Sequence, residues 1–103
     1  MSAPGPAYAR FRSALASGNL DHIRRAAAAL PSVSLDDALR ICVAYRDEWA
    51  LYERAAVRWL GRFCLERKNA TLEEILQAGE ALERLPTSPA EATAELESLL
   101  SRG

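Results

Sequence analysis

The chain has 103 residues, enough for one domain with a buried core, and half of them are hydrophobic. Its 13 Lys/Arg against 14 Asp/Glu give a formal net charge of −1, which excludes a strongly polyanionic or polycationic character. No apolar run approaches the roughly eighteen residues of a membrane-spanning helix, and no stretch alternates with period two as a half-buried strand does.

The predicted elements are all helices. Residues 1–6, with Pro4 and Pro6, read as a flexible lead, and residues 7–103 as a single all-α domain of six helices. The start MSAPGPA has neither a basic region nor an apolar region of signal-peptide type, so the expected compartment is the cytoplasm. The first helix spans 7–17, with Tyr8, Phe11, Ala14 and Leu15 inward and Gly18 as its stop. Asn19 caps the second, whose Leu20, Ile23, Ala27 and Leu30 face inward before Pro31 closes it. Ser34, with Asp37 three residues on, opens the third, and Leu35, Ala38, Leu39, Cys42 and Tyr45 form its inner face.

The fourth helix, 49–68, is the longest pattern and holds both tryptophans. At about 100° per residue, Trp49, Tyr52, Ala56, Val57, Trp59, Leu60, Phe63 and Cys64 fall in one arc of roughly 160°. An arc that wide predicts a central helix with the others packed around it. Thr71 and Glu74 form a capping box for the fifth helix, where Leu72, Ile75, Leu76, Gly79 and Leu82 are expected inward. The sixth starts Ser88-Pro89-Ala90-Glu91, with an N-cap, a first-turn proline and a first-turn acid, and its apolar side is Ala92, Leu96, Leu99 and Leu100. An echo at an offset of 55 residues pairs the second helix with the fifth: Leu20, Ile23, Ala27, Leu30-Pro31 against Ile75, Ala78, Leu82, Leu85-Pro86. It is open between two related three-helix units and a chance likeness of short amphipathic helices.

Charge is unevenly spread. Residues 1–68 carry eleven basic against seven acidic side chains, and residues 69–103 two against seven. Such a gradient suits an acidic partner, or attraction between the chain's own ends or between subunits. Twelve of the basic residues are arginine in an alanine-rich chain, a pairing that GC-rich codon usage produces by itself.

Few residues point to chemistry. Cys42 and Cys64 are expected to be buried free thiols. One histidine and no CxxC give no support to a metal site, and five scattered glycines form no phosphate loop, so no cofactor is expected. His22 falls on the polar side of its helix, no nucleophile elbow surrounds any serine, and Glu73, Glu74, Glu80 and Glu83 read as a solvated face. Arg54, Arg58 and Arg62 repeat at one-turn spacing, as an anionic rod would require, although Glu53 and Glu66 stand nearby. A helix-turn-helix built from the second and third helices would lead into the groove with Asp36 and Asp37, which repel phosphate.

The runs ALASGNLDHIRRAAAALPSVSLDDALRIC, YERAAVRWLGRFCLE and LEEILQAGEALERLP resemble a group of small helical proteins found in actinobacteria, over residues 10–100. That resemblance implies an all-helical fold and supplies no catalytic or binding residues. The Gly18-Asn19-Leu20 turn is also similar to a hairpin of ankyrin or tetratricopeptide repeats, without their defining motif. The expectation is a non-enzymatic protein–protein interaction module, self-association included, with Leu51, Leu65 and Leu99 as apolar contacts off the main core face. The alternative is a nucleic-acid-associated accessory protein using Arg54, Arg58 and Arg62; no membrane partner is expected.

Overall fold

Alanine, leucine, arginine and glutamate favour helix, and the chain folds accordingly. The computed structural model describes residues 5–102 and contains α1 (Pro6–Ser17), α2 (Leu20–Ala28), α3 (Leu35–Ala44), α4 (Trp49–Glu66), α5 (Leu72–Arg84) and α6 (Pro89–Ser101). No strand occurs among the described residues. The protein is all-α. Of the expected flexible lead, residues 1–4 lie outside the described residues, and Pro6 is already the first residue of α1, where a missing N–H costs nothing.

Helix ends are where the sequence speaks most directly. Gly18 takes φ +73°, a conformation that favours glycine, and its N–H closes α1 on the Ala14 and Leu15 carbonyls. The Asn19 side chain accepts from the His22 N–H at 3.0 Å, as expected of an N-cap. Thr71 and Glu74 form the full capping box, at 3.1 Å and 3.0 Å. The Thr71 backbone N–H, followed by the charge of Arg102, holds the Glu74 carboxyl below the usual range. Ser88 departs from expectation. Pro89 starts α6, but the Ser88 backbone lies at φ −135°, ψ 64° and its hydroxyl makes no cap bond.

Backbone packing groups the chain into two units, Met1–Ser34 and Leu35–Gly103. The first is a hairpin of α1 and α2 across the Gly18-Asn19 turn, in which Phe11, Ala14 and Ile23 are buried. In the second, α3 packs on α4 and α6, and α5 packs on α4 and α6, so four helices close into a ring. This two-plus-four grouping differs from a division into two three-helix units, because α3 finds its neighbours in α4 and α6.

The second unit's core is built from Leu39 and Cys42 of α3, Tyr52, Trp59 and Phe63 of α4, Leu82 of α5, and Leu96 and Leu99 of α6, together with Leu85 and small alanines. Trp59 and Phe63 stack at 5.3 Å between ring centroids with 12° between planes. Two long-range bonds satisfy the polar ends of these rings. The Trp59 Nε1–H donates to the Leu35 carbonyl at 2.9 Å, and the Tyr52 hydroxyl donates to the Leu82 carbonyl at 2.6 Å. The second bond has a cause in the sequence. The Leu82 carbonyl would normally accept from the N–H four residues on, but that residue is Pro86, which has none. Burial pushes the Tyr52 phenol above its ordinary range, with the nearby Cys42 adding to the shift, and raises the Cys42 thiol to about 12.

Candidate interaction surface

With the core face of α4 occupied by Tyr52, Ala56, Trp59 and Phe63, the rest of its apolar arc has to go elsewhere. Only half of the expected 160° is covered. Trp49, Val57 and Cys64 are exposed, so Cys64 is a surface thiol and not the buried one expected. The reason is geometric: within the ring α4 has two helical neighbours, α3 and α5, and these cannot cover so wide an arc.

Helix α5 shows the same division. Its buried side is Ala78, Ala81 and Leu82, while Leu72 and Leu76, expected inward, lie on the outer side at 71% and 59% exposure. Ile75 and Gly79 are intermediate, at the boundary between the two sides. The five-residue connection 67–71 makes α4 and α5 antiparallel neighbours. They meet where a Cβ on Gly79 would lie 3.9 Å from the Leu60 Cδ2.

That meeting point joins two exposed apolar strips. On α4, Leu60, Cys64, Val57 and Gly61 span about 100° of the wheel from the α5 contact outward. On α5, Gly79, Leu72 and Leu76 span about 60° from the α4 contact outward. Beyond the α4 strip come Arg54, Leu65 and Arg58, with Leu65 at 82% exposure and Val57 beside them at 67%. Beyond the α5 strip come Glu80 and Glu73. The α4–α5 face therefore carries exposed apolar side chains interspersed with acidic ones, Glu53 within the α4 strip and Glu83 between Leu72 and Leu76, and is bordered by Arg54 on one helix and by Glu80 and Glu73 on the other.

The residues singled out in the sequence distribute unevenly over this surface. Arg54, Arg58 and Leu65 are exposed and adjacent on the outer side of α4, with Arg54 nearest the α5 side and Arg58 furthest from it. Half-buried Leu51 comes next round α4 after Arg58, on the side away from α5. Arg62 follows Leu51 and is tied to Glu66 at 2.7 Å, which leaves Arg54 and Arg58 as the arginines of the stripe with no ion pair among the described residues. Leu99 is corrected outright. It is 1% exposed, a core residue of α6, because the i, i+3 spacing with Leu96 and Ala92 turns it inward. Sequence reasoning missed Leu72, Leu76, Val57 and Cys64 as surface residues. A signal was present: Leu72 and Leu76 repeat at i, i+4 on a side of α5 well away from Ala78 and Ala81.

Other features have structural uses or lack chemistry. Arg67 donates to the Leu99 and Arg102 carbonyls and lies over the Phe63 ring at 5.6 Å, so it caps the C-terminal end of α6. Arg84 and Gln77 bind Glu95 across α5 and α6 at 2.7 Å and 3.1 Å, which holds the Glu95 carboxyl below the usual range. An open groove of about 540 Å³ between α1 and α2 is lined by Arg10, Ser13, His22, Arg25 and small residues, with no carboxylate in its walls to set up an acid–base pair. Among the described residues no group of three or more His, Cys, Asp or Glu is placed to hold a metal ion, and no helix is long and apolar enough to cross a membrane. Compared with protein-family models, with curated proteins and with solved structures, the chain matches none.

Proposed function

We propose that this protein is a non-enzymatic interaction module whose contact surface is the α4–α5 face. The observation that carries the reading is the exposure of Val57, Leu65, Leu72 and Leu76 on two helices whose other sides are already committed to the core. Exposed apolar area on the order of several hundred Å², bordered by charge, is the composition of a protein-binding site. Helices are well suited to hold such a surface, since their backbone groups are satisfied internally and their side chains project at fixed spacing.

A second reading assigns the surface to nucleic acid through Arg54 and Arg58. One observation favours it: both are exposed at one-turn spacing and carry no ion pair among the described residues. Two arginines beside a leucine-rich band make few phosphate contacts, so the protein reading is the stronger. Capture from native-host lysate tests both, with and without nuclease, using the wild type, a Leu65→Glu/Leu76→Glu variant and an Arg54→Glu/Arg58→Glu variant. The proposal expects a retained protein that survives nuclease and is lost with the leucines. Capture that depends on the arginines and disappears with nuclease reverses the order of the two readings.

A further inference from the structure

The hairpin of α1 and α2 carries a groove of its own. We infer that this groove binds a small phosphate monoester, with Arg10 and Arg25 on the phosphoryl group and an alanine floor under the organic part. Every lining residue belongs to the Met1–Ser34 unit, so the site is independent of the interaction reading above.

Residue spacing builds the groove. On α1 its wall is Arg10, Ser13, Ala14 and Ser17, and on α2 it is His22, Arg25, Ala26 and Ala29. Both sets follow i, i+3, i+4, i+7, which is one face of a helix. Alanine and serine stand lower than the arginine side chains, and a trough of about 540 Å³ results. That lies within the roughly 300–1,000 Å³ of small-molecule pockets. Counted from the Gly18-Asn19 turn, Ser13 is about level with Arg25, and Arg10 is within about one turn of it along the groove.

Two cations border one trough without a counter-charge in it. No carboxylate lines the groove, and neither Arg10 nor Arg25 has an ion pair among the described residues. Residues 1–34 hold four arginines and a single acid, Asp21. Asp21 lies about 40° round α2 from Arg25 and is held by Arg24 at 2.9 Å, so its charge is already engaged. An anion in the trough relieves the repulsion between Arg10 and Arg25 and gains from both.

The donors select among anions. A guanidinium presents its N–H groups as a planar fork that takes two oxygens. One fork is enough for a carboxylate, whereas two forks from opposing helices match the three terminal oxygens and about two negative charges of a phosphoryl group. The Ser13 hydroxyl and the His22 ring stand on the same walls as further donors, while the Ser17 hydroxyl already donates to the Ala14 carbonyl at 2.7 Å. Ala14, Ala26 and Ala29 add apolar surface, which suits the carbon part of an ester and has no use for bare phosphate. Length decides against a polyanion. The rise from Arg10 to Ser17 is about 10 Å, too short for a nucleic-acid backbone held at many phosphates.

Amide shifts in proton–nitrogen NMR spectra of the full chain, titrated with phenyl phosphate at constant ionic strength, test the site. The expected result is saturable movement confined to residues 10–17 and 22–29. Arg10→Gln and Arg25→Gln should each weaken binding by about tenfold. Arg12→Gln, about 160° round α1 from Arg10, should leave the affinity within about twofold. Ser13→Leu keeps every charge but fills the trough, and should also weaken binding by at least about tenfold. All four positions are exposed, and unchanged dispersion of the remaining amides shows that each variant folds. Movement that never saturates, or an equal loss in Arg12→Gln, reveals only a general attraction to positive charge and overturns the site. Undiminished affinity in Ser13→Leu overturns the groove as its location. Inorganic phosphate or benzoate bound as tightly as phenyl phosphate overturns the phosphate monoester as the ligand class. A short DNA duplex that moves the same amides at lower concentration replaces the small ligand with nucleic acid.

Discussion

The two sides of α4 carry similar residues and have opposite environments. On the inner side, Tyr52, Ala56, Trp59 and Phe63 are buried, the Trp59 and Tyr52 polar atoms each bond a specific carbonyl, and two rings stack. On the outer side, Val57, Gly61, Cys64 and Leu65 face outward, flanked by Arg54 and Arg58. Apolar character alone does not separate them. What does is reach: on the inner side the Trp59 and Tyr52 polar tips find carbonyls on α3 and α5, whereas Trp49, at the start of the helix, is 60% exposed beside the smaller Val57 and Leu65. A helix of a four-membered ring can bury only one side within that ring, and the larger rings bury the most area per residue.

The largest way to break this contrast is to remove the inner anchor. Trp59→Ala should lower stability by about 3–5 kcal/mol, because it deletes a buried ring and leaves a cavity beside Phe63. Urea denaturation measures it, and a loss under about 1 kcal/mol would place Trp59 among ordinary surface positions. A subtler test keeps the ring and removes only its hydrogen bond. Tyr52→Phe should cost about 1–3 kcal/mol, since the Leu82 carbonyl, already deprived of an N–H by Pro86, would be buried without a partner. If the loss is negligible, another donor reaches that carbonyl and the proline argument fails.

The smallest test leaves stability untouched and compares the cysteines. Cys42, on the inner surface of α3, is buried and its thiol is raised to about 12, whereas Cys64 is exposed on the outer side of α4. The thiolate is the reactive form, so near neutral pH a thiol reagent should modify Cys64 quickly and Cys42 only on unfolding. Modification of both at one rate would show that the two sides are not distinct.

Much of the fold was legible because its signals are local. Gly18 takes the left-handed turn, Asn19 and Thr71 cap their helices, and Pro89 begins the last one, each through contacts within four residues. Ser88 shows the limit even here. Its type suits an N-cap, but its backbone lies at φ −135°, ψ 64° and its hydroxyl makes no cap bond. The surface was less legible. Arg54, Arg58 and Leu65 were identifiable because charge on a helix marks its outer side, while Leu99 was mistaken for a surface residue and Leu72, Leu76 and Val57 for core.

By itself, then, the sequence determined six helices, their ends and the residues on each side of them, because backbone hydrogen bonding and side-chain periodicity are short-range. Which of two apolar sides became core was decided only by the tertiary structure. That choice depends on how many neighbours a helix has and how far apart they stand, and no local pattern encodes it. For α4 and α5 the ring of four helices settled the matter: it enclosed the side bearing Trp59 and Leu82, and left Val57, Leu65, Leu72 and Leu76 outward.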